Sequence, residues 1–289
     1  MFKKTLIPLD GSETAELVLQ PVARLIGRQD VGVTSLLRVC GPGEEAAAED
    51  YLKAVRKRLM ERSIPASVTV TTGDPAEQIV ARASDEGHDL IAMASHGHGG
   101  ITRWVRGSVA ERVLRSSPVP LLLCTPRTLT PGSDVCFRRI LVPHDGSELA
   151  DEVLPLVQEV ARLYGSRVVV LRVEPLALPD PEGRILARSE REVRAALEAS
   201  LDRWSKAGLD LELRGELGDP AQRVLETVEA LGIDLVALST HGRSGWSRWW
   251  FGSVAEAVLR RCHAPLLVHR AQPGNQPGDQ EPSKQRPAS

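Results

Sequence analysis

The sequence contains one long internal repeat, and both copies keep the same motifs in the same order. Four segments recur: TLIPLDGSE as ILVPHDGSE, GDPAEQIV as GDPAQRVL, DLIAMASHG as DLVALSTHG, and GSVAERVLRSSPVPLLL as GSVAEAVLRRCHAPLLV. The copies lie 135 residues apart at Asp10 and Asp145 but 145 apart at His96 and His241. The second copy is therefore longer by about ten residues, which we place around Pro175–Gly183. A period this long indicates a duplicated domain, because solenoid repeats recur every ~20 to 50 residues.

The composition between and after the two copies predicts the domain boundaries. The stretch TPRTLTPGSDVCF joins the copies and is rich in proline, glycine and threonine, which is typical of a linker. The final stretch AQPGNQPGDQEPSKQRPAS has no apolar periodicity, which is typical of a mobile tail. We therefore expect a first domain over residues 1–127, a linker over 128–137, a second domain over 138–270 and a flexible tail over 271–289.

Each copy alternates short apolar runs with longer amphipathic ones. In the first copy KTLIPLD, VGVTSLLRV, ASVTVTTG, DLIAMAS and VPLLLCT predict strands, and helices are expected over 13–27, 44–62, 76–85 and 108–117. Apolar strands that alternate with helices indicate a parallel sheet covered on both faces. Right-handed crossovers make such a sheet doubly wound. We therefore predict two similar α/β domains, each a doubly wound five-stranded parallel sheet, with ligands bound beyond the carboxyl ends of its strands.

The bulk composition excludes several classes of protein. Apolar residues make up 42% of the 289, enough for real cores, and the net charge of -2 gives no drive toward nucleic acid or an anionic membrane. No apolar run approaches the ~18 residues of a membrane span, and the first one is too short for a secretory signal. Four scattered cysteines without a C-x-x-C pair are typical of a reduced protein. We expect a cytoplasmic location, with neither nucleic acid nor membrane as partner.

Two glycine-rich loops point to an anionic ligand. SHGHGGITRWVRGS and THGRSGWSRWWFGS each follow the fourth predicted strand of a copy and lead into a helix. Free backbone N–H groups at a helix start attract phosphate, and glycine lets the backbone approach it. Arg103 adds charge, Ser108 adds a hydroxyl, and Asp10 ends the first strand at the same edge of the sheet. The loops match neither the P-loop nor the dinucleotide-binding motif, but the assembly suits a nucleotide.

The spacing within the loops resembles that of the universal stress protein family. ATP-binding members of that family carry G-x-x-G, then nine residues, then G-S or G-T. Gly97 and Gly107 have this spacing in the first copy, and Gly242 and Gly252 have it in the second. The resemblance implies a Rossmann-like, adenine-nucleotide-binding fold with one ATP per domain and Mg²⁺ on its phosphates. It also implies an internal pseudo-dimer, in which the last strands of the two domains pair.

The residues and the resemblance together assign the nucleotide contacts. In place of the family's first glycine, the first copy has Ala94 and the second copy has Ser239, and both residues are small. The end of the second strand is expected to meet adenine through backbone groups, and the loops and helix starts to meet ribose and phosphates. In the first copy the expected contacts are Pro8, Leu9, Asp10, Ser12, Val39, Ala94, His96, Gly97, His98, Arg103, Gly107, Ser108 and Val109. In the second copy they are Pro143, His144, Asp145, Ser147, Val173, Ser239, His241, Gly242, Arg243, Gly252, Ser253 and Val254.

Metal and nucleophile chemistry fit these residues less well. His96 and His98 suggest a metal, but the second copy keeps only His241, and zinc needs three or four convergent ligands. Ser95 and His96 are adjacent in a tight loop, where nucleophile and base rarely align. We therefore expect no metal held by the protein alone and no catalytic residue.

The favoured function is a nucleotide-dependent sensor or regulatory binding module with an unidentified protein partner. Binding is favoured over turnover because no residue is an obvious water-activating base near the phosphates. Two alternatives stay open: an enzyme that slowly hydrolyses ATP or transfers nucleotides, and a stress-linked scaffold that binds no nucleotide. A further homodimer of the tandem chain also stays open.

Overall fold

The structure, a computed structural model, describes residues 2–27, 32–94, 108–124, 136–176, 188–240 and 252–270. In the first copy the elements are β1 Lys4–Pro8, α1 Glu13–Glu16, α2 Leu19–Gly27, β2 Val33–Cys40, α3 Glu45–Met60, β3 Ala66–Thr72, α4 Pro75–Asp85, β4 Leu90–Ala94, α5 Val109–Ser116 and β5 Leu121–Cys124. In the second they are β6 Arg139–Pro143, α6 Glu148–Asp151, α7 Leu154–Tyr164, β7 Arg167–Glu174, α8 Glu190–Ser200, α9 Asp202–Ser205, β8 Asp210–Leu217, α10 Pro220–Leu231, β9 Leu235–Thr240, α11 Ser253–Arg261 and β10 Leu266–Arg270.

The described strands form one sheet in the order β3-β2-β1-β4-β5-β10-β9-β6-β7-β8. Pairing is parallel within each copy, and each order places the first strand between the second and the fourth. The copies meet where β5 and β10 pair antiparallel, with Leu122 opposite Leu267. The pairing of the last strands is therefore present within a single chain.

Helices cover both faces of the sheet, as a doubly wound fold requires. Buried side chains of α1–α3 and α7–α9 pack on one face, and those of α4, α5, α10 and α11 pack on the other. Both cores run without a break across the β5–β10 junction. This confirms the predicted α/β fold class with two repeated halves. Among the helices in the described ranges, none has the length and apolar character of a membrane span.

The predicted single helix over residues 13–27 is wrong, because the chain forms α1 and α2 with a break at Leu17 and Val18. Pro21 stands in the first turn of α2 and has no N–H to donate to the Leu17 carbonyl, so one α-helical ladder cannot pass through both. The second copy breaks at the same place, where Pro155 occupies the first turn of α7.

Candidate functional site

In each half the second and third strands lie on one side of the first strand, and the fourth strand lies on its other side. The switch point of each half is therefore between its first and fourth strands. In the first half an open cleft of about 600 Å³ lies at the carboxyl ends of β1, β2 and β3. Its lining residues are Asp10, Arg38, Val39, Cys40, Gly41, Pro42, Glu44, Thr72, Gly73 and Pro75. Two of the predicted contacts, Asp10 and Val39, therefore border this cleft.

The turn after the first strand is built identically in both halves. The backbone N–H and the hydroxyl of Ser12 both donate to Asp10 Oδ1, at 2.9 and 2.6 Å. The Ser12 Oγ then accepts from the backbone N–H of Ala15 at 3.0 Å and caps α1. In the second half Ser147 donates to Asp145 Oδ1 at the same two distances and caps α6. The turn therefore fixes a carboxylate at the carboxyl edge of the sheet in each half.

The carboxylate of the second turn is ionised at neutral pH. Burial alone would raise the pKa of Asp145, but the two hydrogen bonds from Ser147 and the nearby His144 hold it below its ordinary value. A fixed negative charge at this position is suited to accept hydrogen bonds from hydroxyl groups of a ligand.

The residues between the first strand and the turn face inward. Leu9 and His144 are only 3% and 4% exposed, and their backbone N–H groups continue the ladder to the carbonyls of Leu37 and Leu171 at 2.8 and 2.9 Å. A ligand above these two positions would meet backbone rather than side chain. Three other predicted contacts lie at strand ends: Pro8 ends β1, Pro143 ends β6, and Val173 is the last residue but one of β7.

The two helix starts beyond the fourth strands differ in detail. Ser108 caps α5, its Oγ accepting from the Glu111 N–H at 3.2 Å. In α11 the cap position is Gly252, which has no side chain to contribute, and Ser253 is the first helical residue. A Cβ added to Gly252 would meet no atom within 4 Å, so space is open beside this helix start. Val109 and Val254 follow within the first turns, and Ala94 and Ser239 stand at or next to the ends of β4 and β9.

Several predicted contacts belong to the two glycine-rich loops and lie outside the described residues. They are His96, Gly97, His98, Arg103 and Gly107 in the first loop, and His241, Gly242 and Arg243 in the second. The structure brings the remaining predicted residues to the carboxyl ends of the strands in each half.

Sequence reasoning missed one arginine in each half. Arg38 lines the first cleft and stands 5.2 Å from the centre of the Tyr51 ring. The Arg38 guanidinium packs so closely on Gly11 that a Cβ on this glycine would overlap it. A Cβ on Gly146 would likewise lie only 2.8 Å from a guanidinium nitrogen of Arg172. The recurring tripeptide LRV, at residues 37–39 and 171–173, was the signal that could have revealed them.

A model of the universal stress protein family matches residues 1–125 and again residues 137–270. The chain belongs to the universal stress protein family. A universal stress protein of Mycobacterium bovis is 24% identical over 252 residues, covering 85% of this chain and 79% of that protein. One from Methanocaldococcus jannaschii is 30% identical over 154 residues, covering 43% of this chain and 94% of its own.

The fold is also that of a solved universal stress protein. The crystal structure of the protein from Archaeoglobus fulgidus matches 93% of this chain and 99% of its own, with a TM-score of 0.75 and 23% identity. Both halves of this universal stress protein thus carry the family's domain, arranged in tandem. Within the ranges that the structure describes, histidine, cysteine, aspartate and glutamate form no group of three able to hold a metal ion.

Proposed function

We propose that this universal stress protein binds one ATP in each domain and acts as a nucleotide-dependent sensor or regulatory module. One observation carries the proposal: the same Asp–Gly–Ser turn recurs at the carboxyl edge of both halves of the sheet, and in each half a helix with a Gly-Ser pair at its start follows the fourth strand. In the first half Asp10 of this turn lines a cleft of about 600 Å³, a size typical of small-molecule sites.

The charges at each site favour a triphosphate. The starts of α5 and α11 present backbone N–H groups and the positive end of the helix dipole. Ser108 accepts the Glu111 N–H with its oxygen, so its hydroxyl hydrogen can donate to a phosphate oxygen. Mg²⁺, when present, would arrive with the phosphates and neutralise part of their charge. Arg103 and Arg243 of the two glycine-rich loops would add positive charge near the phosphates.

Binding is favoured over turnover by the carboxylates of the first cleft. Asp10 accepts two hydrogen bonds from Ser12, and Glu44 accepts one from the backbone N–H of Gly41 at 3.0 Å. A general base must instead reach the proton of an attacking water. We infer a binding module whose bound nucleotide licenses contact with a protein partner. A cytoplasmic location is a separate prediction, made from the scattered cysteines of the sequence.

One experiment distinguishes the three candidate functions, which are a nucleotide-binding sensor, an enzyme and a scaffold that binds no nucleotide. Purified protein is mixed with Mg-ATP, and retained nucleotide and released phosphate are measured together. Two retained ATP per chain support the proposal. Many turnovers per minute would identify an enzyme, and no retention would identify a scaffold without nucleotide.

Gly252→Val tests the site itself. Because a Cβ at Gly252 meets nothing within 4 Å, the larger residue fits the free protein and occupies the space beside the α11 start. The variant should lose one ATP per chain, while the melting temperature without ATP falls by only ~2–4 °C because valine caps a helix less well than glycine. Retention of both nucleotides with normal affinity would show that the phosphate does not lie at this helix start.

A further inference from the structure

The two outermost strands of the described sheet, β3 and β8, differ in charge. The register aligns Arg38 with Val70 in the first half and Arg172 with Gly215 in the second, which sets the correspondence between β3 and β8. On one face of the two strands the matched pairs are Ser67 with Glu212, Thr69 with Arg214, and Thr71 with Glu216. β3 therefore carries neutral hydroxyl groups where β8 carries charges.

The charges of β8 oppose the addition of another strand. Glu212 pairs with Arg167 and Arg214 inside the second half, at 3.2 and 2.7 Å. If a second β8 paired antiparallel about Arg214, this arginine would face its own copy and Glu212 would face Glu216. Like charges directly opposite one another destabilise a strand pair, and charged side chains are a usual protection of edge strands.

β3 has no such protection. Its seven residues, Ala66–Thr72, include neither a charged residue nor a proline. The Pro65 carbonyl accepts from the Thr34 N–H of β2 at 3.0 Å, which fixes the direction of the backbone groups that follow, because that direction alternates along a strand. The residues whose N–H and C=O groups point away from β2 are Ala66, Val68, Val70 and Thr72. This side of β3, which we call the β3 edge, is a template for one more strand.

One flank of α3 faces the same direction as the β3 edge. The helix lies over β2 and β3, and Arg58 on its inner flank pairs at 2.7 Å with Glu16 of α1, which lies toward the middle of the sheet. Tyr51, against which Arg38 packs, is on that inner flank as well. At 100° per residue, the outer flank carries Glu45, Glu49, Lys53, Arg56 and Met60.

The charges on this outer flank are segregated along the helix. Glu45 and Glu49 make its first half acidic, and Lys53 and Arg56 make its second half basic. Met60, at 60% exposure, adds an apolar group at the end. An identical helix lying antiparallel beside α3 would place its basic half against the acidic half of the first, and the reverse. The flank is therefore complementary to a second copy of itself.

A single two-fold axis satisfies the strand and the helix together. Antiparallel pairing of β3 with a second β3 continues the sheet and places both α3 helices on the same face, antiparallel to each other. Because strands lie ~4.8 Å apart and α3 lies over β2 and β3, the two helix axes would be ~10 Å apart, near the usual spacing of packed helices.

We propose that two copies of this chain associate through their first domains, by antiparallel pairing of the β3 strands and contact between the outer flanks of α3. The partner is a second copy because the charge pattern of the flank is complementary to itself. The β8 edge of the second domain takes no part. This association goes beyond nucleotide binding and does not depend on it.

A charge exchange on α3 tests the proposal. Sedimentation of the native chain without nucleotide, at concentrations up to ~100 µM, should show a dimer that dissociates on dilution. Lys53→Glu with Arg56→Glu makes the flank wholly acidic, and Glu45→Lys with Glu49→Lys makes it wholly basic. Each double variant should raise the dissociation constant at least ~10-fold, because the two copies then repel. An equimolar mixture of the two should form a heterodimer with native affinity.

Two further variants locate the interface. Thr69→Arg gives β3 the residue that β8 has at this place and should weaken the dimer. Arg191→Glu with Arg194→Glu is the matched control, because it makes the same change of net charge on α8, at the far end of the sheet. Its dimer should be as strong as that of the native chain.

A native chain that stays monomeric at ~100 µM overturns the proposal. So does a dimer that Thr69→Arg and the two α3 variants leave intact, or one that the α8 variant dissociates. Circular dichroism checks that each variant is folded, and the mixture is a second check, because unfolded chains form no heterodimer. Two folded α3 variants that stay monomeric when mixed would show that the flank is not self-complementary.

Discussion

Gly11 and Gly146 each have a left-handed backbone conformation, and an arginine guanidinium packs against each of them. Their φ values are +85° and +90°, a conformation that side chains with a Cβ rarely adopt. The closeness of Arg38 to Gly11 and of Arg172 to Gly146 adds a packing reason for glycine. The arginine in the first half is thereby held between the turn and the Tyr51 ring.

Gly43 offers a matched control, because its φ is +87° but a Cβ there would meet nothing within 4 Å. Gly43→Ala should lower the free energy of unfolding by about 1–2 kcal/mol through backbone strain alone. Gly11→Ala should lower it by ~0.5–1 kcal/mol more, because Arg38 must leave the Tyr51 ring. Urea denaturation measures both. In an Arg38→Ala background the excess should vanish; an excess that remains would mean the contact with Arg38 is not its cause.

His88 makes the first domain sensitive to acid. Its side chain is buried, Nδ1 lies 3.3 Å from the Arg82 carbonyl oxygen, and burial lowers the pKa of the imidazole below its ordinary value. The unfolded chain therefore takes up a proton at higher pH than the folded chain does. The stability contributed by neutral His88 is present above the ordinary pKa of ~6.5 and is lost as the pH falls below it.

His88→Ile installs the residue that the second copy carries at this place, Ile233. The variant should lose less stability than the native chain between about pH 7.5 and pH 5, because one proton-uptake site is gone. The midpoint of urea unfolding at the two pH values measures this. His269, whose pKa burial also lowers, keeps some acid dependence in the variant. An unchanged slope would show that His88 is not a source of acid lability.

At the scale of elements, α5 and α11 begin differently although their sequences are similar. Ser108 is the side-chain cap of α5, whereas α11 has glycine at its cap position and Ser253 inside the helix. The same Gly-Ser pair is thus displaced by one residue between the two helix starts. The two serines can share a role toward a ligand while differing in what they contribute to stability.

Ser108→Ala should lower the free energy of unfolding by about 1 kcal/mol, because the Glu111 N–H loses its acceptor. Ser253→Ala should change it by less than ~0.5 kcal/mol, the usual range for substitutions away from such features. Thermal or urea unfolding of the two variants without nucleotide checks the difference. Equal losses would contradict the displaced start of α11.

Local sequence patterns predicted most elements but not their breaks or their cross-chain contacts. The run ASVTVTTG became β3 and the helix expected over 44–62 became α3, because period and composition mark such segments. The apolar spacing over 13–27 continues across the break at Leu17, so periodicity could not reveal it. Pro21 could have, because it removes a donor one turn later.

The candidate site was predictable only where its residues are close in sequence. The Asp–Gly–Ser turn is local, and its hydrogen bonds follow from the motif. Arg38 reaches Gly11 only because β1 and β2 are neighbours in the sheet. The contact of Trp204 with Asp151 likewise joins residues far apart in the chain. Such contacts depend on topology, which spacing alone does not encode.

At the scale of the molecule, the junction of β5 and β10 joins the sheets and the cores of the two halves. Leu122 and Leu267 face each other there, at 0% and 1% exposure, and both belong to a core that contains side chains from each half. A destabilising substitution on one side of the junction should therefore also destabilise the other side.

Leu267→Ala should lower the free energy of unfolding by about 2–5 kcal/mol through the cavity it leaves. Because the core is continuous, hydrogen exchange should quicken in β1 of the first half as well as in β6 of the second. Exchange measured residue by residue under native conditions checks this. Acceleration confined to the second half would show that the halves open independently.

The antiparallel junction also sets the directions in which the two halves present their turns. Strands within a half run parallel, and the halves run opposite ways, so the Asp10 turn and the Asp145 turn stand on opposite rims of one sheet. A ligand or partner bound at the edge of the sheet that carries one turn leaves the opposite edge uncovered. A ligand bound at one turn would therefore lie on the side of the sheet opposite to a ligand bound at the other.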